Sequence, residues 1–223
     1  YEKKLEYHKL SRNSKLSYFN KLRACLNQAL ADGVIEHNPM RGIENFKEEE
    51  SKRMYLTIDE VKAITKAECP SPGVKRAFLF SCLTGLRRSD IMKMTWSEVH
   101  KQGDLTRIIF KQKKTSGQEH IDITPQAAEL MGERGKPTDR VFFDFLTASA
   151  TNHAIKVWML RAGITKEITF HCARHTFAVM MLDIGTDIYT VSKLLGHREL
   201  STTQIYAKVL DKNKQAAVMN IPD

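Results

Sequence analysis

Leu16, Phe19, Leu22, Leu26, Ala29 and Leu30 recur at three- and four-residue intervals, the period of a helix that buries one stripe. The pattern predicts a helix over residues 14–31, stopped by Gly33 and followed by a second break at Asn38-Pro39. From Glu44 to Arg53 one aromatic residue stands among seven charges, a composition that suits an exposed linker. Thr57-Ile-Asp-Glu60 then has the form of a capping box, in which a hydroxyl and a carboxylate satisfy two free amides at a helix start. The apolar run Ala77 to Leu83 ends at Gly85, as a buried helix and its stop would. Residues 105–112 and 119–123 are β-branched and partly alternating, and predict a β-hairpin with Thr115-Ser-Gly-Gln118 at an exposed tip. Thr124-Pro125 opens another helix, with proline at the first helical position. Further helices are expected near 148–162, 171–184, 187–195 and 202–217, with Gly163, Gly185 and Gly196 as stops. The fold class is therefore mainly α with a small antiparallel β-sheet, an α+β protein.

Composition narrows the function. At 42% hydrophobic and 27% charged, the 223 residues supply a sizeable core and exclude disorder as the main state. The formal net charge of +9 predicts a polyanionic partner, either nucleic acid or an acidic membrane surface. No apolar run approaches the roughly 18 residues that span a bilayer, and no signal peptide opens the chain. Cys25, Cys69, Cys82 and Cys172 are scattered without CxxC spacing, which reads as reduced thiols in a cytosolic protein. Residues 1–45 are too few for an independent core, so they are expected to be the helical end of a larger domain. Residues 46–53 are the linker and 54–223 the main domain. A first residue of Tyr1 rather than Met reads as a fragment.

Five local patterns carry candidate chemistry, and each has a plain alternative. In Thr84-Gly-Leu-Arg-Arg-Ser-Asp90, Arg87 follows a helix-ending glycine and can offer its planar fork to a phosphate; the alternative is a solvated arginine beside a turn. The hairpin carries Arg107, Lys111, Lys113 and Lys114, which suit either a phosphate backbone or the protection of a sheet edge. His171-Cys-Ala-Arg174-His175 puts His171 and Arg174 on one helical face, though such a pair also arises by chance. His171 and His175, four apart, invite a zinc reading, but Cys172 replaces the glutamate of the HExxH pattern and no third ligand is evident. His197, in Leu194-Leu-Gly-His197, has the position of a helix C-terminal cap. Ser201-Thr-Thr-Gln-Ile-Tyr206 reads as a second capping box, with a tyrosine one turn inside it that packs in most such helices.

Taken in order, an arginine, a hairpin lysine, HxxR, GH and a tyrosine nine residues after that histidine form a combination far rarer than its parts. The arrangement resembles the catalytic domain of the tyrosine recombinases, the phage integrase family, over roughly residues 54–210. The stretch from His171 to Tyr206 carries most of the specificity, and the segment ending ADGVIEHNP resembles the end of that family's core-binding domain. The resemblance implies that Tyr206 attacks a DNA phosphodiester to give a 3′-phosphotyrosyl link and a free 5′-hydroxyl, without a cofactor or metal. It implies that Arg87 and Arg174 hold the non-bridging oxygens, that His197 orients the scissile phosphate, and that His171 is the general base or hydrogen-bond partner near the nucleophile. Lys114 matches the lysine that protonates the leaving oxygen, with Lys113 a competing assignment because strand alternation sends the two in opposite directions. Asp90 is an acceptor that would buttress the site. The implied partners are double-stranded DNA, further copies in a DNA-bound homotetramer, and accessory DNA-bending or directionality proteins, with no membrane. A type IB topoisomerase-like enzyme and a non-catalytic DNA-binding protein are the rival readings.

Overall fold

The computed structural model describes residues 10–49, 53–103, 105–111, 118–145 and 147–206. The chain divides into two units, Tyr1–Lys52 and Arg53–Asp223. In the first, helix α1 (Arg12–Ala31) starts where the Ser11 hydroxyl accepts from the Ser14 amide. It ends at Gly33, whose φ of 69° lets Val34 N–H reach back to Ala29 C=O at 2.9 Å. Phe19 is its buried residue, and Phe46 meets it edge-on with ring centroids 5.4 Å apart. Within the stretch read as an exposed linker, residues 44–49 run along α1. Asn13 exchanges two hydrogen bonds with the Glu49 backbone (2.7 and 2.8 Å), and the Asn45 amide donates to Asn20 at 2.7 Å. Asparagine side chains satisfy an extended backbone that composition alone reads as solvated.

In the second unit α2 (Ile58–Lys66) carries the expected capping box: Thr57 N–H donates to Glu60 Oε2 at 2.7 Å, and Glu60 N–H to Thr57 Oγ1 at 3.2 Å. The helices α3 (Pro72–Thr84) and α4 (Arg88–Ile91) follow. Then come strands β1 (Val99–Gln102), β2 (Leu105–Lys111) and β3 (Gln118–Ile123) and helices α5 (Pro125–Glu129), α6 (Ala148–Arg161) and α7 (Phe170–Asp183). Two short helices, α8 (Ile188–Leu194) and α9 (Ser201–Gln204), complete the described part. The core is built where α3 packs on α7. Phe78 of α3 stands edge-on between Trp158 of α6 (5.6 Å) and Phe170 of α7 (5.8 Å). The Trp158 indole donates to Ile64 C=O at 3.0 Å, so its one polar group is satisfied inside the core.

The sheet is antiparallel in the order β1-β2-β3, with Val99 opposite Ile108 and Ile108 opposite Ile121. These three residues are buried and fix the register. On the other face Arg107 makes a two-pronged pair with Asp122 (2.6 and 2.8 Å), so one charge of the basic hairpin is neutralised across the strands. The expected tip, with Lys113 and Lys114, lies outside the described residues. The second capping box is corrected: α9 has Leu200 as its N-cap, already in helical conformation, with no side-chain cap. The turn enters the helix one residue early, so Ser201 is not extended as a capping residue must be. The helix expected over 202–217 is described only as far as Gln204. All four cysteines are free thiols, and no described helix is long and apolar enough to cross a membrane.

Candidate active site

Two glycine-terminated helices prepare the site. Gly85 closes α3 with φ of 69°, and Gly196 follows α8 with φ of 60°. After α8, His197 N–H donates to Ser192 C=O (3.0 Å) and Gly196 N–H to Lys193 C=O (2.8 Å), the paired bonds of a Schellman stop. These reversals leave the Gly85 and Leu195 carbonyls aimed at one point, and the Arg174 guanidinium of α7 occupies it. Nη1 donates to Gly85 C=O at 2.7 Å and Nη2 to Leu195 C=O. Helix C-termini carry partial negative charge, so two of them seat one buried cation. Arg174 is only 5% exposed. Its remaining N–H groups are left for an anion.

Arg87, the N-cap of α4, lines the same small cleft as Arg174, together with Asp90, His120, Lys193 and Gly196. Its Nη1 lies 4.0 Å from Asp90 Oδ2. Arg88 diverges and stacks over the Phe145 ring at 5.4 Å, which separates the two neighbouring arginines by direction. Burial and then Arg87 pull the Arg174 guanidinium down to about 9, so the cleft is one in which positive charges crowd each other. An incoming phosphate relieves that repulsion, which is the electrostatic signature of an anion site.

His197 follows the α8 stop, and its Nδ1 is 2.8 Å from Thr203 Oγ1 in α9. The residues of α9 thereby tie this histidine to the segment that carries Tyr206. Burial, then Arg174 and Arg87, push His197 down to about 4. Tyr206 is 4% exposed and sits in an apolar cluster with Phe177, Leu182, Val191 and Leu195. Its hydroxyl is hydrogen-bonded to Nδ1 of His175. Burial raises the phenol to about 12, although Arg174 and Arg53 pull the other way. His171 is exposed one turn before His175, and the two rings meet edge-on at 4.5 Å.

Arg87, Arg174, His171, His197 and Tyr206 are thus gathered in one neighbourhood from four stretches of chain, while Lys114 and Lys113 lie outside the described residues. Residue patterns missed His175, the direct partner of Tyr206, because its spacing from His171 reads first as a metal pair. They also missed Arg53, which acts electrostatically on both His175 and Tyr206, and the cleft residues His120 and Lys193. Strand alternation gives no reason to single out His120, and Lys193 has no local motif.

A family model described as the phage integrase family matches residues 50–213, and one described as a phage integrase SAM-like domain matches residues 1–48. The tyrosine recombinase XerD of Listeria innocua is 30% identical over 213 residues, which cover 86% of this chain and 70% of that protein. The XerH site-specific recombinase, in a post-cleavage complex with a palindromic difH substrate, has the same fold. It superposes with a TM-score of 0.74 at 19% identity, covering 96% of this chain and 68% of that one. The Tn1549 transposon integrase in complex with circular intermediate DNA follows at 0.70 and 16% identity, covering 91% and 77%. With a family model spanning most of its length and a relative matched along most of both chains, the chain belongs to the phage integrase family.

Proposed function

We propose that this chain is a tyrosine site-specific recombinase that cuts and rejoins duplex DNA through a 3′-phosphotyrosyl intermediate on Tyr206. The observation that carries the reading is a cleft lined by Arg87 and Arg174, with His197 and Tyr206 within electrostatic reach of its arginines. Covalent capture keeps the bond energy in the protein–DNA ester and divides the exchange into two displacements. Arg87 and Arg174 hold the non-bridging oxygens as negative charge grows on them, and loss of one such preorganised donor costs roughly 3–4 kcal/mol of barrier. His197 orients the scissile phosphate, and His171, at the exposed edge of the nucleophile's surroundings, is the general base or a hydrogen-bond partner there. Lys114, or Lys113 beside it, protonates the leaving 5′-oxygen. Asp90 keeps Arg87 turned toward the cleft.

Residues 1–45 serve as the end of a DNA-clamping domain, residues 46–53 as a linker and residues 54–223 as the catalytic domain. The work is integration or excision of a mobile element at bacterial chromosomal DNA, in the cytoplasm. It is carried out by a homotetramer on DNA, with accessory DNA-bending or directionality proteins. The similarity to both XerD and a transposon integrase supports this reading. The test is incubation with nicked duplex DNA carrying the site recovered from DNA bound by this chain in cells. A denaturant-resistant protein–DNA adduct is expected, absent in Tyr206→Phe. An undiminished adduct in that variant overturns the assignment.

A further inference from the structure

His175 has no part in the roles above, yet its Nδ1 meets the Tyr206 hydroxyl, with both side chains nearly sealed from solvent at 7% and 4% exposure. We propose that His175 orients the Tyr206 hydroxyl and accepts its proton as the phenol oxygen attacks phosphorus. The inference rests on Tyr206 being the nucleophile.

The geometry supports it in three ways. Arg174 and His175 are consecutive on α7, so one helical turn sends a cation toward the two carbonyl seats and an imidazole toward the tyrosine. The imidazole is confined, because the His171 ring stacks edge-on at 4.5 Å and the Tyr206 ring stands 5.6 Å away. The backbone is held at the next residue, where Thr176 Oγ1 accepts from Leu56 N–H at 2.9 Å. In the tautomer protonated at Nε2, Nδ1 presents a lone pair to the phenol O–H.

Electrostatics ties this base to the arrival of DNA. Burial, then His171, Arg53, Arg174 and His197, hold His175 down to about 4, so in the free protein it is neutral with its lone pair available. Tyr206, its hydrogen-bond partner, is raised to about 12, so the proton stays on oxygen until a substrate enters. A seated phosphodiester brings negative charge against Arg174, offsets the field that opposes the imidazolium, and strengthens the base only when there is something to attack. The proton then moves from Oη to Nδ1 as the Oη–P bond forms. The P–O5′ bond breaks and its oxygen takes a proton from the hairpin lysine. In the rejoining step the imidazolium returns its proton to the departing phenolate.

The experiment uses the full chain and the same nicked duplex under single-turnover conditions. His175→Asn keeps an acceptor near the Nδ1 position but no base. It is expected to fold, to bind the duplex as tightly as the parent, and to form adduct about 10²–10⁴-fold more slowly. His175→Ala should be slow as well, and partly rescued by added imidazole. A bridging 5′-phosphorothiolate, whose leaving thiolate needs no proton, should rescue Lys114→Ala but not His175→Asn. Parent-like rates in both His175 variants overturn the proposal. Faster cleavage by His175→Ala also overturns it, since the hydrogen bond would then restrain the tyrosine. Thiolate rescue of His175→Asn would move His175 to the leaving-group side and overturn it too. Tyr206→Phe is the separate control: adduct persisting there defeats the nucleophile assignment, whereas its loss alongside normal His175 variants defeats this inference alone.

Discussion

Replacing Arg174 by lysine removes a planar fork that joins two helix ends and leaves an ammonium that reaches one carbonyl at a time. The expected result is adduct formation slowed about 10²–10³-fold. A loss of about 1–3 kcal/mol in urea unfolding should accompany it, from a buried carbonyl left without its donor. The histidines give a pH signature of their own. His175 and His197 sit at about 4 in the folded chain against 6.5 when unperturbed. Between those values the unfolded chain binds more protons, so stability is full above about 6.5 and is lost as pH falls toward about 4. Urea midpoints measured across that range should fall toward acid, and should fall less in His197→Asn. At this scale the sequence singles out Arg87, Arg174, His197 and Tyr206 as candidates, because each follows a glycine stop or a fixed spacing. It offered His175 only as half of a metal pair, because its contact with Tyr206 is made across 31 residues of chain.

Helix stops were legible for a physical reason: Gly33, Gly85, Gly163, Gly185 and Gly196 all take the positive φ that side chains avoid. At Gly85 a Cβ would also fall 2.6 Å from Phe177 Cδ1. Gly85→Ala is expected to cost about 2–4 kcal/mol in unfolding, from the left-handed backbone and the clash together. It should slow adduct formation as well, since the Gly85 carbonyl seats Arg174; both are read in one preparation by denaturation and by gel. The elements that stayed hidden are those whose signal comes from partners. Strand β1 is Val-His-Lys-Gln with one buried residue, so it has no alternation to read and exists because β2 offers it an edge. The apparent capping box at Ser201 failed because the turn before it is already helical. The contacts of Phe46 with Phe19 and of Asn45 with Asn20 were not legible either, because isolated side-chain contacts of an extended backbone leave no periodicity.

Over the whole molecule the excess of +9 charges decides how DNA is held. Each phosphate neutralised on duplex DNA contributes about −0.9 to the slope of log affinity against log salt. The two active-site arginines share one phosphate and so account for about −0.9, and fluorescence anisotropy with a random duplex should give a steeper slope if the rest of the basic surface engages. Arg107 should contribute little, because Asp122 already holds it. Charge was the most legible property of the sequence, yet it pointed only to a polyanion; the chemistry emerged from where the chain brings the charges together. The shared seat of Arg174 has a consequence for anyone altering this protein. Changes at Arg87, just ahead of the four-residue α4, should yield intact protein that grips DNA and stalls, a ready trap for uncleaved complexes. Changes at Arg174 unpin the ends of α3 and α8 together, so lost chemistry and heat-sensitive protein should arrive as a single phenotype.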